Sequence, residues 1–243
     1  MIKALYRWMC NFARPPKHAR LDLGRRALLG AGVAGVGGGL LFRSHPQSGR
    51  RTFDPALIRP PGSVAEEEFL TKCVRCGECM KVCPTNGIHP TLTQAGLEGI
   101  WTPVLNMKIG YCEYECTLCS QVCPTHAIRQ VTVPEKKKVK IGLAYFDKNR
   151  CLPYALARTC IVCEEHCPTP KKAIWFEEVT VRNIRGETVA VKQPHVDPDL
   201  CIGCGICENK CPVKDQAAVR VTSVGETRNP DNQVLLESSP YGT

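Results

Sequence analysis

Sixteen of the 17 cysteines stand in four quartets, and each quartet closes on Cys-Pro. The first is Cys73-x2-Cys76-x2-Cys79-x3-Cys83-Pro84, and the second is Cys112-x3-Cys116-x2-Cys119-x3-Cys123-Pro124. The third is Cys151-x8-Cys160-x2-Cys163-x3-Cys167-Pro168, and the fourth is Cys201-x2-Cys204-x2-Cys207-x3-Cys211-Pro212. Thiolates at this spacing suit a [4Fe–4S] cube, which takes one thiolate per iron. Two residues between ligands let a tight loop wrap three corners. Gly77, Gly203 and Gly205 suit such loops, where the backbone must adopt positive φ. The last Cys of each quartet lies a helical turn further on. In two-cluster folds the equivalent thiol ligates the other cluster, and the following Pro turns the chain away. The quartets therefore imply four [4Fe–4S] clusters in two reciprocal pairs, with all sixteen cysteines as iron ligands. Pairing of consecutive quartets and nested pairing (two with three, one with four) are both allowed by the spacing.

Two other uses of cysteine fit less well. Thiols two residues apart are poor disulfide partners, and a repeated Cys-Pro ending has no disulfide logic. Structural zinc takes two C-x2-C pairs per ion and not quartets ending x3-Cys-Pro. A zinc-stapled interaction module is thus a remote alternative. Cys10 stands alone and reads as a spare thiol.

Each cluster loop needs elements to hold it, in the order strand, loop, short helix, strand. Ala144–Phe146 before the third quartet and Val189–Val191 before the fourth read as strands. So do the β-favouring runs Ala127–Val133, Ala173–Phe176 and Ala218–Thr222 that follow the Cys-Pro turns. Gly87–Trp101, with Pro90, Gly96 and Gly99, reads as loop. Ser63-Val-Ala-Glu66 has the capping-box pattern and is expected to start a helix through Phe69 and Leu70. The fold expected is α+β: two packed bacterial-ferredoxin-like modules, loop-rich, behind an N-terminal signal-anchor helix. The boundaries are 1–42 for the leader, 43–62 for a Pro/Gly/Arg linker, 63–133 and 134–225 for the two pairs of quartets, and 226–243 for a polar tail.

Composition agrees with a metal-held fold. Aromatics are 6% of 243 residues, against 20 Gly and 19 Pro, so large core-forming side chains are scarce. Cluster binding would then supply folding energy. The formal charge of +9 is unevenly spread: residues 1–50 hold nine Lys/Arg against Asp22, a net of +8, leaving +1 for the rest. A nucleic-acid binder needs its basic stripe on the folded body, so that class is excluded. With about −2 on each oxidised cluster and its thiolates, the loaded body is expected near about −7.

The basic leader contains Arg25-Arg26 followed by the uncharged run 27–42. This resembles a twin-arginine export signal. At about 24 Å as a helix the run falls short of a hydrocarbon core. No small-x-small cleavage site follows Phe42, so an uncleaved anchor making membrane contact through 27–42 is expected, ahead of a cleaved signal or a partner-docking segment. The positive flank stays cytoplasmic, which puts the body on the outer face of the membrane. A folded-protein export route suits clusters assembled before export. The GxGxxG match at Gly30, Gly32 and Gly35 lacks the preceding strand and the later acid of a dinucleotide site.

From Phe69 to about Val221 the sequence resembles the NapG/MauM-type exported ferredoxins, which carry four [4Fe–4S] clusters. The third quartet is the most specific piece, in CLPYALARTCIVCEEHCP (Cys151–Pro168) with its long first gap. The second quartet departs from the usual x2-then-x4 gaps. The resemblance implies electron relay between a membrane quinol dehydrogenase-type protein and an exported redox enzyme.

No P-loop, G-x-S-x-G or HExxH motif is present, so a carrier without its own substrate site is expected. The alternative is an iron–sulfur subunit of a larger membrane-bound oxidoreductase. His126 and His166 adjoin ligands but read as surface residues, because each quartet already has four thiols. Trp101, Trp175, Tyr111 and Tyr154 are candidates for shielding clusters or for ordinary packing. The run Lys136–Lys138 with Lys140 reads as a solvated hairpin tip, with an acidic partner's docking patch as the sharper reading.

Overall fold

A segment ahead of each pair of quartets meets a segment behind it, and this closure organises the fold twice over. The computed structural model describes residues 54–232 except 93, 214 and 230, all within one compact unit that starts at Phe53. The expected anchor helix at 27–42 and Cys10 lie outside the described residues.

In the second half, β3 (Leu143–Phe146) precedes the third quartet and pairs antiparallel with β6 (Val219–Thr222), which follows the fourth. Ala144, Val219 and Val221 are buried while Tyr145 faces out, the period-two pattern of a half-buried pair. Between those quartets runs a long antiparallel hairpin, β4 (Ile174–Arg182) with β5 (Thr188–Val196). Gly186, at φ 79, forms its turn. All four strand positions expected in this half are therefore occupied.

The first half repeats the plan with less strand. The Val64 N–H donates to the Ala127 carbonyl at 3.1 Å and the Arg129 N–H to the Gly62 carbonyl at 2.8 Å, flanking a single bridge between Ser63 and Ile128. Between the first two quartets, β1 (Ile88–Pro90) pairs with β2 (Pro103–Leu105). The expectation of plain loop over Gly87–Trp101 is corrected here. Pro90 is tolerated because it ends an edge strand, opposite Pro103. Ala127–Val133, expected as a strand, contributes only that bridge. Thr132 then caps a helical turn at Val133–Lys136, with Glu135 closing a reciprocal capping box. The polar cap outcompetes the β-favouring run.

Helix α1 (Glu66–Lys72) forms where expected but without the expected box: Ala65 is its N-cap, and the Ser63 hydroxyl donates to the Pro60 carbonyl instead. Glu66 is engaged elsewhere. Its carboxylate takes Arg59, and at 2.6 Å also Arg228, which bonds Glu226 as well. Arg59 is fully buried, donates to Thr102 Oγ1 and the Pro103 carbonyl, and lies 4.6 Å over the Phe69 ring. This lattice overturns two expectations. Residues 54–62 are packed rather than tethering: Leu57, Ile58 and Arg59 are buried, and the Leu105 N–H donates to the Ile58 carbonyl. Residues 226–232 are likewise no free tail, since Glu226 and Asn232 are buried and the Thr227 N–H donates to the Lys140 carbonyl.

Phe69 is the one fully buried aromatic among the described residues, and it packs in the core with Ile58, Ile88, Leu105, Met107, Ile128, Ile174, Val219 and Val221. Cys79, Cys119, Cys163, Cys201 and Cys207 sit inside the same apolar cluster. The cysteines are thus part of what fills the interior.

Candidate metal centres

Each quartet places its third thiol in the first turn of a one-turn helix: Cys79 in α2 (Glu78–Lys81), Cys119 in α3 (Leu118–Gln121), Cys163 in α6 (Val162–Glu165) and Cys207 in α7 (Ile206–Lys210). Here α4 is the turn Val133–Lys136 and α5 is Leu152–Ala155. All four thiols are buried. In the first and fourth quartets a left-handed Gly, Gly77 or Gly205 at φ 78, precedes the helix. A second left-handed residue follows the first Cys by two: Gly203 at φ 73, and Arg75 at φ 57 in the equivalent place. At Gly203 a side chain is excluded twice, since a Cβ there would strike the backbone of Gly142.

The structure then gathers thiols across quartets. Cys73, Cys76 and Cys79 line one cavity together with Cys123, the last thiol of the second quartet. Cys151, Cys160 and Cys163 line another with Cys211 of the fourth. Cys201, Cys204 and Cys207 line a third with Cys167 of the third. Cys112 and Cys119 complete the pattern, each lying close enough to Cys116 and to Cys83 for their charges to oppose one another. The pairing is consecutive, first with second and third with fourth; the nested arrangement is not formed.

The donor sets fit a polynuclear cation. Burial, then the neighbouring thiols, pushes Cys79, Cys151, Cys163 and Cys204 up to about 12. Burial likewise raises Cys119 and Cys207. Cys112 is pushed by burial to about 11, with Lys136 acting the other way. Four such thiols ionise together only around strong positive charge. Cys83 is the exception. Burial raises it, but the Thr85 hydroxyl and the N–H groups of Gly87, Ile88 and Thr85 outweigh that and leave it below the ordinary thiol range. Among the described residues, no three Cys, His, Asp or Glu side chains converge tightly enough for a single metal ion. The sixteen described cysteines are all free thiols.

Backbone N–H groups support the last thiol of three quartets. Gly87 donates to Cys83 Sγ at 3.3 Å, Ile128 to Cys123 Sγ at 3.4 Å and Ala218 to Cys211 Sγ at 3.4 Å. The Cys-Pro turn aims these amides at sulfur, and quartet spacing alone does not reveal them.

The neighbouring candidates resolve individually. His126 is exposed at φ 54, a left-handed corner after Cys123-Pro-Thr, and His166 is exposed with Nδ1 2.9 Å from the Val162 carbonyl oxygen. Trp101 is largely exposed, and Trp175 stacks on His195 at 4.6 Å with half its surface in solvent. Tyr154 sits in the insert of the third quartet and donates to the Pro194 carbonyl at 3.0 Å, tying α5 to β5 beside the Cys151 cavity. The lysine run is no solvated tip. Lys136 is buried with its ammonium on the Glu113 carbonyl, Lys137 pairs with Glu115 at 2.5 Å, and Lys140 donates to the Pro198 carbonyl.

The two modules meet at cluster loops. The Cys112 N–H donates to the Cys204 carbonyl at 2.8 Å, and the Asn209 side-chain amide to the Lys108 carbonyl at 3.4 Å. Tyr111 and Tyr114 pack on Ile202, Cys204 and Ile206. Sequence reasoning gave no sign of this junction, which depends on two loops far apart in the chain.

A family model described as a 4Fe-4S binding domain matches residues 69–89 and 194–214, the spans of the first and fourth quartets. The methylamine utilization ferredoxin-type protein MauM of Methylorubrum extorquens is 34% identical over 232 residues, covering 92% of this chain and all of that one. The chain belongs to the NapG/MauM family of ferredoxin-type proteins. Another member, the ferredoxin-type protein NapG of Escherichia coli, is 34% identical over 215 residues, 84% of this chain and 88% of its own. MauM of Paracoccus denitrificans is 33% identical over the same shares. As a member of this family the chain is an electron-transfer iron–sulfur protein that binds 4Fe-4S clusters. No helix among the described residues is long and apolar enough to cross a membrane.

Proposed function

We propose that the chain carries four [4Fe–4S] clusters on its sixteen quartet cysteines and relays electrons along them. The donor is a membrane quinol-oxidising protein and the acceptor an exported redox enzyme. The observation that carries the reading is the crossing of the last thiols. Cys123 lies with Cys73, Cys76 and Cys79, and Cys211 lies with Cys151, Cys160 and Cys163, as reciprocal two-cluster ligation requires. The bound clusters supply one-electron chemistry; the chain supplies their spacing, burial and hydrogen bonds. It has no substrate of its own in this reading.

The contacts between loops order the four sites. The Cys73 site shares its module with the Cys112 site, the Cys112 site abuts the Cys204 site through the 2.8 Å backbone bond, and the Cys204 site shares its module with the Cys151 site. Cys76 is exposed, so the Cys73 site is the end that a partner approaches. Arg25-Arg26 and the uncharged run 27–42 favour export and retention at the outer face of the cytoplasmic membrane. The boundaries 63–133 and 134–225 remain the proposed modules.

Iron and acid-labile sulfide analysis of anoxically purified protein tests the reading. It expects about 16 of each per chain. Zinc without sulfide would overturn it in favour of a stapled module.

A further inference from the structure

The residue after each Cys-Pro turn is Thr85, Thr125 and Thr169 in the first three quartets, but Val213 in the fourth. The three hydroxyls are not equivalent. Thr125 Oγ1 is 3.9 Å from Cys123 Sγ. Thr85 Oγ1 is 3.5 Å from Cys83 Sγ and also donates to the Tyr111 carbonyl, so one proton is divided between two acceptors. Thr169 is buried, and its Oγ1 accepts the Ala173 N–H at 3.1 Å while lying 3.2 Å from Cys167 Sγ. As an iron ligand Cys167 is a thiolate without a proton, so in the loaded protein the hydroxyl is the donor of this contact. At Val213 no such donor exists, although Ala218 supplies an N–H to Cys211.

Hydrogen bonds to ligand sulfurs are among the determinants of a cluster's reduction potential. They favour the state with more negative charge, which is the reduced one, and they act more strongly where water is excluded. We propose that the Thr169 hydroxyl raises the reduction potential of the iron–sulfur site on Cys167, Cys201, Cys204 and Cys207, and that Val213 withholds the same device from the site on Cys151, Cys160, Cys163 and Cys211. This rests on the ligand assignment proposed above. The two sites share one module and exchange their last thiols, and the residue after the turn differs between them: a hydroxyl on Cys167, a backbone N–H from Ala218 on Cys211. Only an electron passes between them; no proton moves and no bond is made or broken. The bias favours holding that electron at the site beside the Cys112–Cys204 junction.

The test is redox titration of the loaded full-length protein, followed by EPR, with T169V, T169S and V213T. T169V is expected to shift one reduction step to lower potential. At fixed ambient potential its ratio of reduced to oxidised cluster falls about tenfold, equivalent to about 59 mV for one electron. T169S keeps the hydroxyl and is expected to restore the wild-type value, which a purely structural role for the methyl group would not do. V213T is expected to shift a different step upward. Iron content separates this inference from the one beneath it: wild-type protein without its full iron refutes the ligand assignment, whereas fully loaded T169V with unmoved potentials refutes the role of Thr169. Should T169V fail to load, V213T decides, an upward shift supporting the proposal and an unchanged potential overturning it.

Discussion

The backbone N–H of Cys112 donates to the carbonyl oxygen of Cys204 at 2.8 Å, so a thiol-bearing loop of each module is joined to the other by main chain. Thr85 extends the connection backward, its hydroxyl donating to the Tyr111 carbonyl one residue before Cys112. This contact between modules thereby lies on the loops that surround the candidate centres.

Gly203 lies on the Cys204 side of this junction. G203A meets a left-handed backbone and the Gly142 main chain together. It is expected to cost more than the roughly 1–2 kcal/mol of the left-handed conformation alone. Its iron content should fall from about 16 to about 12 per chain. G186A has a similar φ with open space around it, and should keep its full iron. Iron analysis and melting temperature of the two variants check the contrast.

Arg59 is expected to matter as much as a core residue. R59A leaves Glu66 with Arg228 as its remaining ion partner and takes the side-chain donor from the buried Pro103 carbonyl, while the Thr102 hydroxyl keeps the Gly99 carbonyl and Thr91 Oγ1. Breaking a buried ion pair from one side costs about 3–5 kcal/mol. A denaturant midpoint lowered at unchanged m-value is the expected result.

The two carboxylates of that lattice should respond to pH with opposite signs. Burial raises Glu66, but Arg59 and Arg228 prevail and hold it below the usual carboxylate range. Its contribution is present above the unfolded value and is lost as pH falls through the lower folded one. Burial raises Glu226, with Arg228 only partly opposing. The folded state therefore takes up a proton there more readily, and its ionisation opposes folding at neutral pH. E226Q is expected to melt above wild type at pH 8, with the gap closing as pH falls toward 5. A gap that widens on acidification would show the sign to be wrong.

The second module was the more legible from sequence because its strands obey simple rules. Leu143–Phe146, Ile174–Arg182, Thr188–Val196 and Val219–Thr222 include the runs whose composition favours strands. In the first module the same closure is shortened to Ser63–Ile128, because Thr132, Pro134 and Glu135 start a capped turn where the apolar run suggested more strand. Residues 54–62 looked like a linker from their prolines and arginines. Their packing depends on Glu66, Thr102 and Arg228, and Arg228 is remote in sequence. The candidate ligands are visible in local spacing, whereas which thiol lies beside which quartet depends on how α2 packs on α3 and α6 on α7.

Tyr154 tests the insert of the third quartet. Y154F removes the hydrogen bond to the Pro194 carbonyl, a loss of about 0.5–1.5 kcal/mol. The expected effect is local: faster loss of about four irons to a chelator, with the remainder released at the wild-type rate. Iron release followed by absorbance bleaching reads this directly.

The central claim is that the last thiol of each quartet serves its neighbour's site. Iron analysis of two double variants tests it most directly. C76S/C123S places both losses in one proposed site and is expected to keep about 12 irons per chain, whereas C76S/C83S spans two sites and is expected to keep about 8. The reverse order of these two values, about 8 for C76S/C123S and about 12 for C76S/C83S, would contradict the crossing and assign each quartet to a site of its own.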